Sequence, residues 1–170
     1  RVEVRGVETD RGPVYAPIVV NAAGVHSEEV ASWAGEPDFH ITPTRGEYFL
    51  LDRTAGDFVT SFLFACPSER GKGVTVARTA EGNLLAGPTA TVQKDTATTP
   101  EGLAQVLEGA RRLVPNFPVN LNITTFAGVR ANTDTGDFVI EALKAPRGFV
   151  NVAGIKSPGF TSAPAIAVHV

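Results

Sequence analysis

The residues best suited to chemistry form one stretch near the C-terminus, Gly154-Ile155-Lys156-Ser157-Pro158-Gly159-Phe160-Thr161. A short apolar strand over residues 149–152 runs into it, and a segment of small and apolar residues comes after it. Gly154 and Gly159 permit backbone angles and close approaches that a side chain would block. Thr161 and Ser162 suit a helix N-cap, and Pro164 suits a first helical turn. A helix starting here would aim free N–H groups and a partial positive charge at an anion or at the electron-rich edge of a ring. An ordinary strand–loop–helix connection has the same pattern, so these residues alone leave both readings open. A second stretch, Ala22-Ala23-Gly24, closes the apolar run over residues 17–21. Side chains this small let a ligand or another backbone lie against a strand end, where open α/β sheets place ligands.

Other chemistries find little support. A single cysteine, Cys66, flanked by Phe64, Ala65 and Pro67, excludes an internal disulfide and any multi-cysteine metal site. Its apolar neighbours suggest a buried or half-buried structural thiol. His40 and His169 have no constellation around them, and no metal-ligand spacing, Ser/His/Asp order or Walker-type phosphate loop occurs. The net charge of −3, with no basic cluster, argues against a nucleic-acid partner. An apolar content of 43% with 19% charged residues suffices for a folded core and opposes disorder. The longest uncharged apolar runs fall far short of a bilayer span, and no leader pattern is visible. The absence of methionine, and a last helical pattern that breaks off after a few residues, suggest a piece of a longer chain.

The elements that must position these stretches emerge from periodicity and turn residues. Residues 1–7 alternate as a half-buried strand, residues 9–12 turn, and residues 13–16 return. The continuous apolar run over residues 17–21 reads as a strand covered on both faces. Ser27 can cap a short helix with Glu28 and Glu29 in its first turn, Trp33 in the core, and Gly35 and Pro37 as its stop. His26 reads as a capping or packing residue in preference to a general base. Strands over residues 48–51, 59–65, 73–77 and 84–87 with close turns indicate an antiparallel sheet. Thr99 caps a helix with Pro100 first, and Leu103, Val106, Leu107, Ala110, Leu113 and Val114 recur on one face until Pro115. A strand over residues 122–131 turns at 133–137, and residues 138–140 are expected to pair with it as a hairpin.

Five blocks, taken in order, resemble a known family. They are Val19-Val20-Asn21-Ala22-Ala23-Gly24-Val25-His26-Ser27, Thr44-Arg45-Gly46-Glu47-Tyr48-Phe49, Leu85-Ala86-Gly87-Pro88-Thr89-Ala90, Phe126-Ala127-Gly128-Val129-Arg130-Ala131, and residues 154–163. Together they resemble the D-amino-acid-oxidase-like superfamily of FAD-dependent oxidoreductases, nearest to its glycerol-3-phosphate dehydrogenase-like group, with the L-2-hydroxyglutarate oxidases close by.

The resemblance implies a mixed fold, α+β / α/β: a fragment of a Rossmann-like FAD domain carrying an inserted antiparallel substrate domain. Residues 1–39 and 138–170 would belong to the FAD domain and residues 40–137 to the substrate domain. The family's GxGxxG turn for the ADP diphosphate is not in this sequence, so an N-terminal segment of the same polypeptide is expected to supply it, and the fragment alone is expected to be inactive.

In that family a hydride leaves a small anionic substrate for FAD, and the protein positions the substrate and tunes the ring. The resemblance gives Arg130 the substrate anion, which its planar fork can take bidentately. The proline that usually comes next is Ala131 here. Arg45 has either a ligand role or an ion pair with Glu47 or another carboxylate, and Lys156 either binds an anion or is solvated. Gly154, Ile155, Ser157, Pro158, Gly159, Phe160 and Thr161 match the segment passing the flavin ring, whose N–H groups would stabilise negative charge on reduced flavin. Ala22, Ala23 and Gly24 match the loop near the diphosphate. No metal is expected, and the electron acceptor is left open. Alternative readings are an amino-acid or amine oxidase of the same superfamily and a non-catalytic binding domain. The expected location is cytoplasmic, with peripheral contact of the full-length protein with a membrane left open.

Overall fold

The computed structural model describes residues 2–66 and 73–170. Arg1, the start of the expected first strand, and Pro67, beside Cys66, lie outside the described residues. In chain order the elements begin with β1 (Gly6–Thr9), β2 (Gly12–Tyr15), β3 (Val19–Asn21) and helix α1 (Ser27–Ala34). The middle holds β4 (Ile41–Leu51), β5 (Leu63–Phe64), β6 (Thr75–Arg78), β7 (Leu84–Gly87), β8 (Thr91–Val92), helix α2 (Pro100–Leu113) and β9 (Asn122–Thr133). The chain closes with β10 (Val139–Ala142), β11 (Phe149–Ala153) and helix α3 (Gly159–His169).

By contact the chain divides into two units, Arg1–Pro43 with Arg130–Val170, and Thr44–Val129. The boundaries expected from the sequence, 39/40 and 137/138, put Arg130 in the middle segment instead. β4 and β9 are single long strands that continue through the divide, so no break in secondary structure marks it.

In the first unit β11 lies between β10, which it pairs antiparallel, and β3, which it pairs in parallel. β10 therefore hydrogen-bonds β11 and not β9, and the expected hairpin of residues 138–140 with the preceding strand does not form. A small core joins α1, β4, β9 and β11 through Ala31, Phe39, Ile41, Ala131 and Ala153. Three expectations fail here. Strand β1 starts at Gly6, and Val2 and Val7 are exposed. The apolar run into β3 is not covered on both faces, since Ile18 and Val20 are 60% and 47% exposed on a strand with one partner. Trp33 is 75% exposed instead of lying in the core.

In the second unit β5, β6, β7 and β4 succeed one another antiparallel, β7 and β8 lie in succession along β4, and β9 also pairs with β4. α2 packs on β6 and β7. Its spacing places Val106 and Ala110 in a core with Leu51, Val76, Leu84 and Phe117. Gly109 in the same helix is a packing requirement, since a Cβ there would stand 2.7 Å from the Cβ of Val74. The expected strand over residues 59–65 shortens to two residues, and Cys66 is exposed instead of buried.

Candidate cofactor and substrate site

β11 ends at Ala153, and Gly154 turns the chain with φ +67. A Cβ at Gly154 would stand 2.5 Å from Thr133 Cγ2 and 3.2 Å from the Asp137 carbonyl oxygen, so both conformation and space require glycine. Gly159 is constrained by space alone, because its missing side chain is where Ile155 Cγ2 packs. The close approaches that these glycines permit are thus made by the chain itself. The Gly159 amide donates to the Lys156 carbonyl, and the Ser162 amide to the Pro158 carbonyl at 3.0 Å. Helix α3 therefore starts at Gly159 with Pro158 as N-cap and no side-chain cap bond. Thr161 and Ser162, the expected N-caps, lie inside its first turn and Pro164 inside the helix, so the helix starts at least three residues earlier than expected. That bonding leaves the first-turn amides of Phe160 and Thr161 without a backbone acceptor among the described residues, where the helix dipole favours an electron-rich group. Ile155 and Lys156 are half-buried, Ser157 and Pro158 exposed, and Phe160 is 99% exposed.

The other small-residue stretch is held by a pair of buried asparagines that sequence reasoning does not single out. Asn21 and Asn151 face each other in the parallel β3–β11 pairing. Asn21 Nδ2 donates to Asn151 Oδ1 at 2.9 Å and to the Ser27 carbonyl at 2.8 Å, while Asn21 Oδ1 accepts from the Ala23 amide at 3.4 Å. Each asparagine is the polar break in an apolar strand, which is the signal the sequence offers. Beyond them Gly24 adopts φ +59 with open space where a Cβ would stand. Ser27 is buried in the first turn of α1 and caps nothing. The N-cap is His26, with no side-chain cap bond and its Nδ1 3.5 Å from Glu29 Oε2.

Arg130, half-buried, lies on β9 between Val129 and the buried Ala131. Three residues further, Thr133 packs on Gly154 and donates from Oγ1 to the Asp137 carbonyl at 2.6 Å. The strand end is also tied to α1. Glu28 Oε2 accepts the Ile41 amide at 2.7 Å and Oε1 lies 2.8 Å from His40 Nδ1. His40 donates its amide to Asp134 Oδ1 at 2.9 Å, and the Asp134 amide donates back to the His40 carbonyl at 3.1 Å. The Ile41 amide, against the smaller opposing effect of burial and with help from His40, holds the Glu28 carboxyl below its usual range. Arg130, residues 22–24 and residues 154–161 all belong to the first unit.

Arg45 belongs to the second unit, and its ion-pair reading is realised. Its guanidinium is buried, with Nη1 2.6 Å from Asp95 Oδ1 and Nε 3.3 Å from Glu47 Oε1, close but not aligned as a hydrogen bond. Glu47, fully buried, accepts the Thr99 amide at 2.7 Å and the Thr99 hydroxyl at 3.1 Å. Asp95 is held below the ordinary carboxylate range by the Ala97 amide and then by Arg45. Among the described residues no group of histidines, cysteines or carboxylates is placed to hold a metal ion, and no helix is long and apolar enough to cross a membrane.

A parallel β3–β11 pair, a glycine turn into a helix, and an antiparallel unit inserted in the sequence between the two strands define a flavoenzyme architecture. The family of FAD-dependent oxidoreductases matches residues 1–170, and the chain belongs to it. It is 48% identical over 165 residues to a glycerol 3-phosphate dehydrogenase of Caloramator mitchellensis, covering 95% of this chain and 34% of that protein. A glycerol 3-phosphate oxidase of Mycoplasma pneumoniae is 34% identical over 153 residues, covering 87% of this chain and 40% of that protein. The FAD-bound, dithionite-reduced L-α-glycerophosphate oxidase of Mycoplasma pneumoniae superposes with a TM-score of 0.84 at 32% identity, over 94% of this chain and 43% of that one. The chain thus spans about a third of the length of the dehydrogenase it matches. Its own residues suit FAD: Gly24 leaves open backbone at a strand end, and the first-turn amides of α3 present donors for an electron-rich ring edge.

Proposed function

We propose that the full-length polypeptide oxidises glycerol 3-phosphate, or a similarly small anionic hydroxy compound, with FAD. The observation that carries this reading is the packing of Thr133 on Gly154, which joins the strand bearing Arg130 directly to the glycine turn before α3. When bound, FAD supplies an acceptor for the hydride leaving the carbinol carbon. Arg130 holds the phosphate or carboxylate with its planar fork, and Lys156 adds a second positive charge. With FAD bound, the amides leading into α3 would stabilise negative charge on its ring, and residues 22–24 would help hold its diphosphate. Arg45 keeps the structural role of its ion pairs with Asp95 and Glu47.

The remaining part of the FAD site, including the diphosphate turn, is assigned to a segment of the polypeptide outside these 170 residues. Two features support that assignment. The chain spans about a third of the related dehydrogenase. Helix α3 is mostly apolar, with Thr161, Ser162 and His169 as its polar residues, yet exposes Phe160 and Val168 at 99% and 90%, as a helix does when its covering partner lies elsewhere.

The test is anaerobic reduction of the flavin in the full-length protein by glycerol 3-phosphate, 2-hydroxy acids and amino acids in parallel. Bleaching by the first is the expected result, with kcat/KM falling about 100-fold in Arg130→Ala, the loss of a charge-assisted contact. A protein without flavin absorbance, or one bleached only by amino acids, would contradict the proposal.

A further inference from the structure

Two segments of the first unit that the proposed function uses, residues 22–24 and the strand carrying Arg130, lie on different elements. The Glu28 carboxylate links the helix after the first segment to the strand end beyond the second. Glu28 stands in the first turn of α1, four residues after Gly24. It accepts the Ile41 amide at 2.7 Å through Oε2 and meets His40 Nδ1 at 2.8 Å through Oε1. The backbone of His40 in turn exchanges hydrogen bonds with Asp134, the residue after β9, at 2.9 and 3.1 Å. Ala131, next to Arg130, is buried in one core with Ala31 of α1 and Ile41 of β4, so helix and strand share packing as well as this polar link. On its other side the strand end meets Gly154 through Thr133.

We propose that Glu28 is a positioning residue for Arg130: it fixes the end of β9 relative to α1, and thereby the register at which the guanidinium is presented to a small anion. The inference rests on the substrate role of Arg130 given above. Arginine forks act within narrow geometric limits, and a shift of about 1 Å in a positioning element is enough to weaken them. Glu28 itself touches neither substrate nor cofactor in this scheme. Loss of its carboxylate would leave the Ile41 amide without its acceptor and release the His40 ring, and the strand end would keep its pairing with β4, the packing of Ala131, its bonds to His40 and the Gly154 contact, with no polar link to α1 through Glu28.

The test is a double-mutant cycle on the full-length protein, with Glu28→Ala, Arg130→Ala and both together. Two quantities are read, the KM for glycerol 3-phosphate and the dissociation constant of inorganic phosphate by calorimetry. Glu28→Ala is expected to weaken both by about tenfold while kcat stays within about twofold, and to add nothing once Arg130 is gone. Glu28→Gln, which keeps an acceptor for the Ile41 amide, is expected to recover most of the loss. If Glu28→Ala does not fold, the cycle is run with Glu28→Gln, whose smaller effect must likewise vanish in the Arg130→Ala background. Additive losses would overturn the inference and leave the role of Arg130 standing. An Arg130→Ala protein that binds phosphate and substrate as before would overturn both.

Discussion

The Glu47 carboxylate accepts the Thr99 amide at 2.7 Å and so caps helix α2 from a different element, fifty-two positions away in the sequence. The same carboxylate pairs with Arg45, and the Thr99 hydroxyl donates to it at 3.1 Å while accepting the Gly102 amide at 3.0 Å. A buried anion at a helix N-terminus meets free amides and the positive end of the dipole. Removal of one partner leaves the other charged and enclosed. Glu47→Ala leaves Arg45 with Asp95 and the Thr99 amide without its acceptor, and is therefore expected to cost about 2–3 kcal/mol in urea unfolding, whereas a joint replacement of Arg45 and Glu47 by apolar residues of similar volume is expected to cost far less. A single-mutant loss under about 1 kcal/mol would mean that the pair is screened or rearranged.

Gly102 provides an independent probe of the same arrangement. The space where its Cβ would stand is filled by the Glu47 carboxylate. In an exposed helix interior, replacement of glycine by alanine would stabilise by about 1 kcal/mol. Here Gly102→Ala is expected to destabilise by about 1–3 kcal/mol, the usual scale for overpacking. Placing the same change in a Glu47→Ala background should restore the ordinary sign. Thermal or chemical unfolding of the two pairs decides it, and a stabilising Gly102→Ala in the presence of Glu47 would show that the carboxylate lies elsewhere.

How much of this is legible in the sequence depends on how local the determinants are. Helix α2 is readable because Thr99 as its N-cap, Pro100 at its first position and the apolar spacing are all local to it. The glycines at 154 and 159 are readable as constrained positions, but nothing local says that Thr133 and Ile155 of the same chain fill the space. Trp33 and Cys66 are expected inside because apolar residues favour the interior, a tendency that does not prevent large ones from being exposed. Glu47 can be paired with Arg45 two residues away, yet its acceptance of Thr99 and its place under Gly102 are long-range facts with no local mark. The Asn21–Asn151 pair has a faint mark, one polar residue in each of two apolar strands, and its meaning depends on their parallel register.

The contact between Thr133 and Gly154 yields a prediction about cofactor retention. Gly154→Ala combines an unfavourable φ of +67 with a clash against Thr133 Cγ2. It is expected to destabilise by at least about 1 kcal/mol and to lower the FAD content of the purified full-length protein. Thr133→Ser removes the offending methyl and keeps the hydroxyl that donates to the Asp137 carbonyl, so it should restore part of the loss when combined with Gly154→Ala. Flavin-to-protein absorbance ratios of the three variants measure this. Equal FAD content in Gly154→Ala and the parent would show that the turn has no part in holding the cofactor.

Acid stability offers a final measurement, on Glu28. Its carboxyl is held below the ordinary value of 4.5, chiefly by the Ile41 amide. A group whose folded pKa lies below its unfolded pKa binds protons more readily when unfolded. Its contribution is therefore present above about pH 4.5 and disappears as the pH falls through the lower folded value. Asp95, held down by the Ala97 amide and Arg45, acts in the same direction. Glu28→Gln should thus be less stable than the parent at neutral pH and should approach it as the pH falls below the ordinary value of 4.5, so that the two urea midpoints converge on acidification. Midpoints that stay parallel from about pH 7 to about pH 3 would mean that the Glu28 carboxylate gains nothing from Ile41 and His40 on folding.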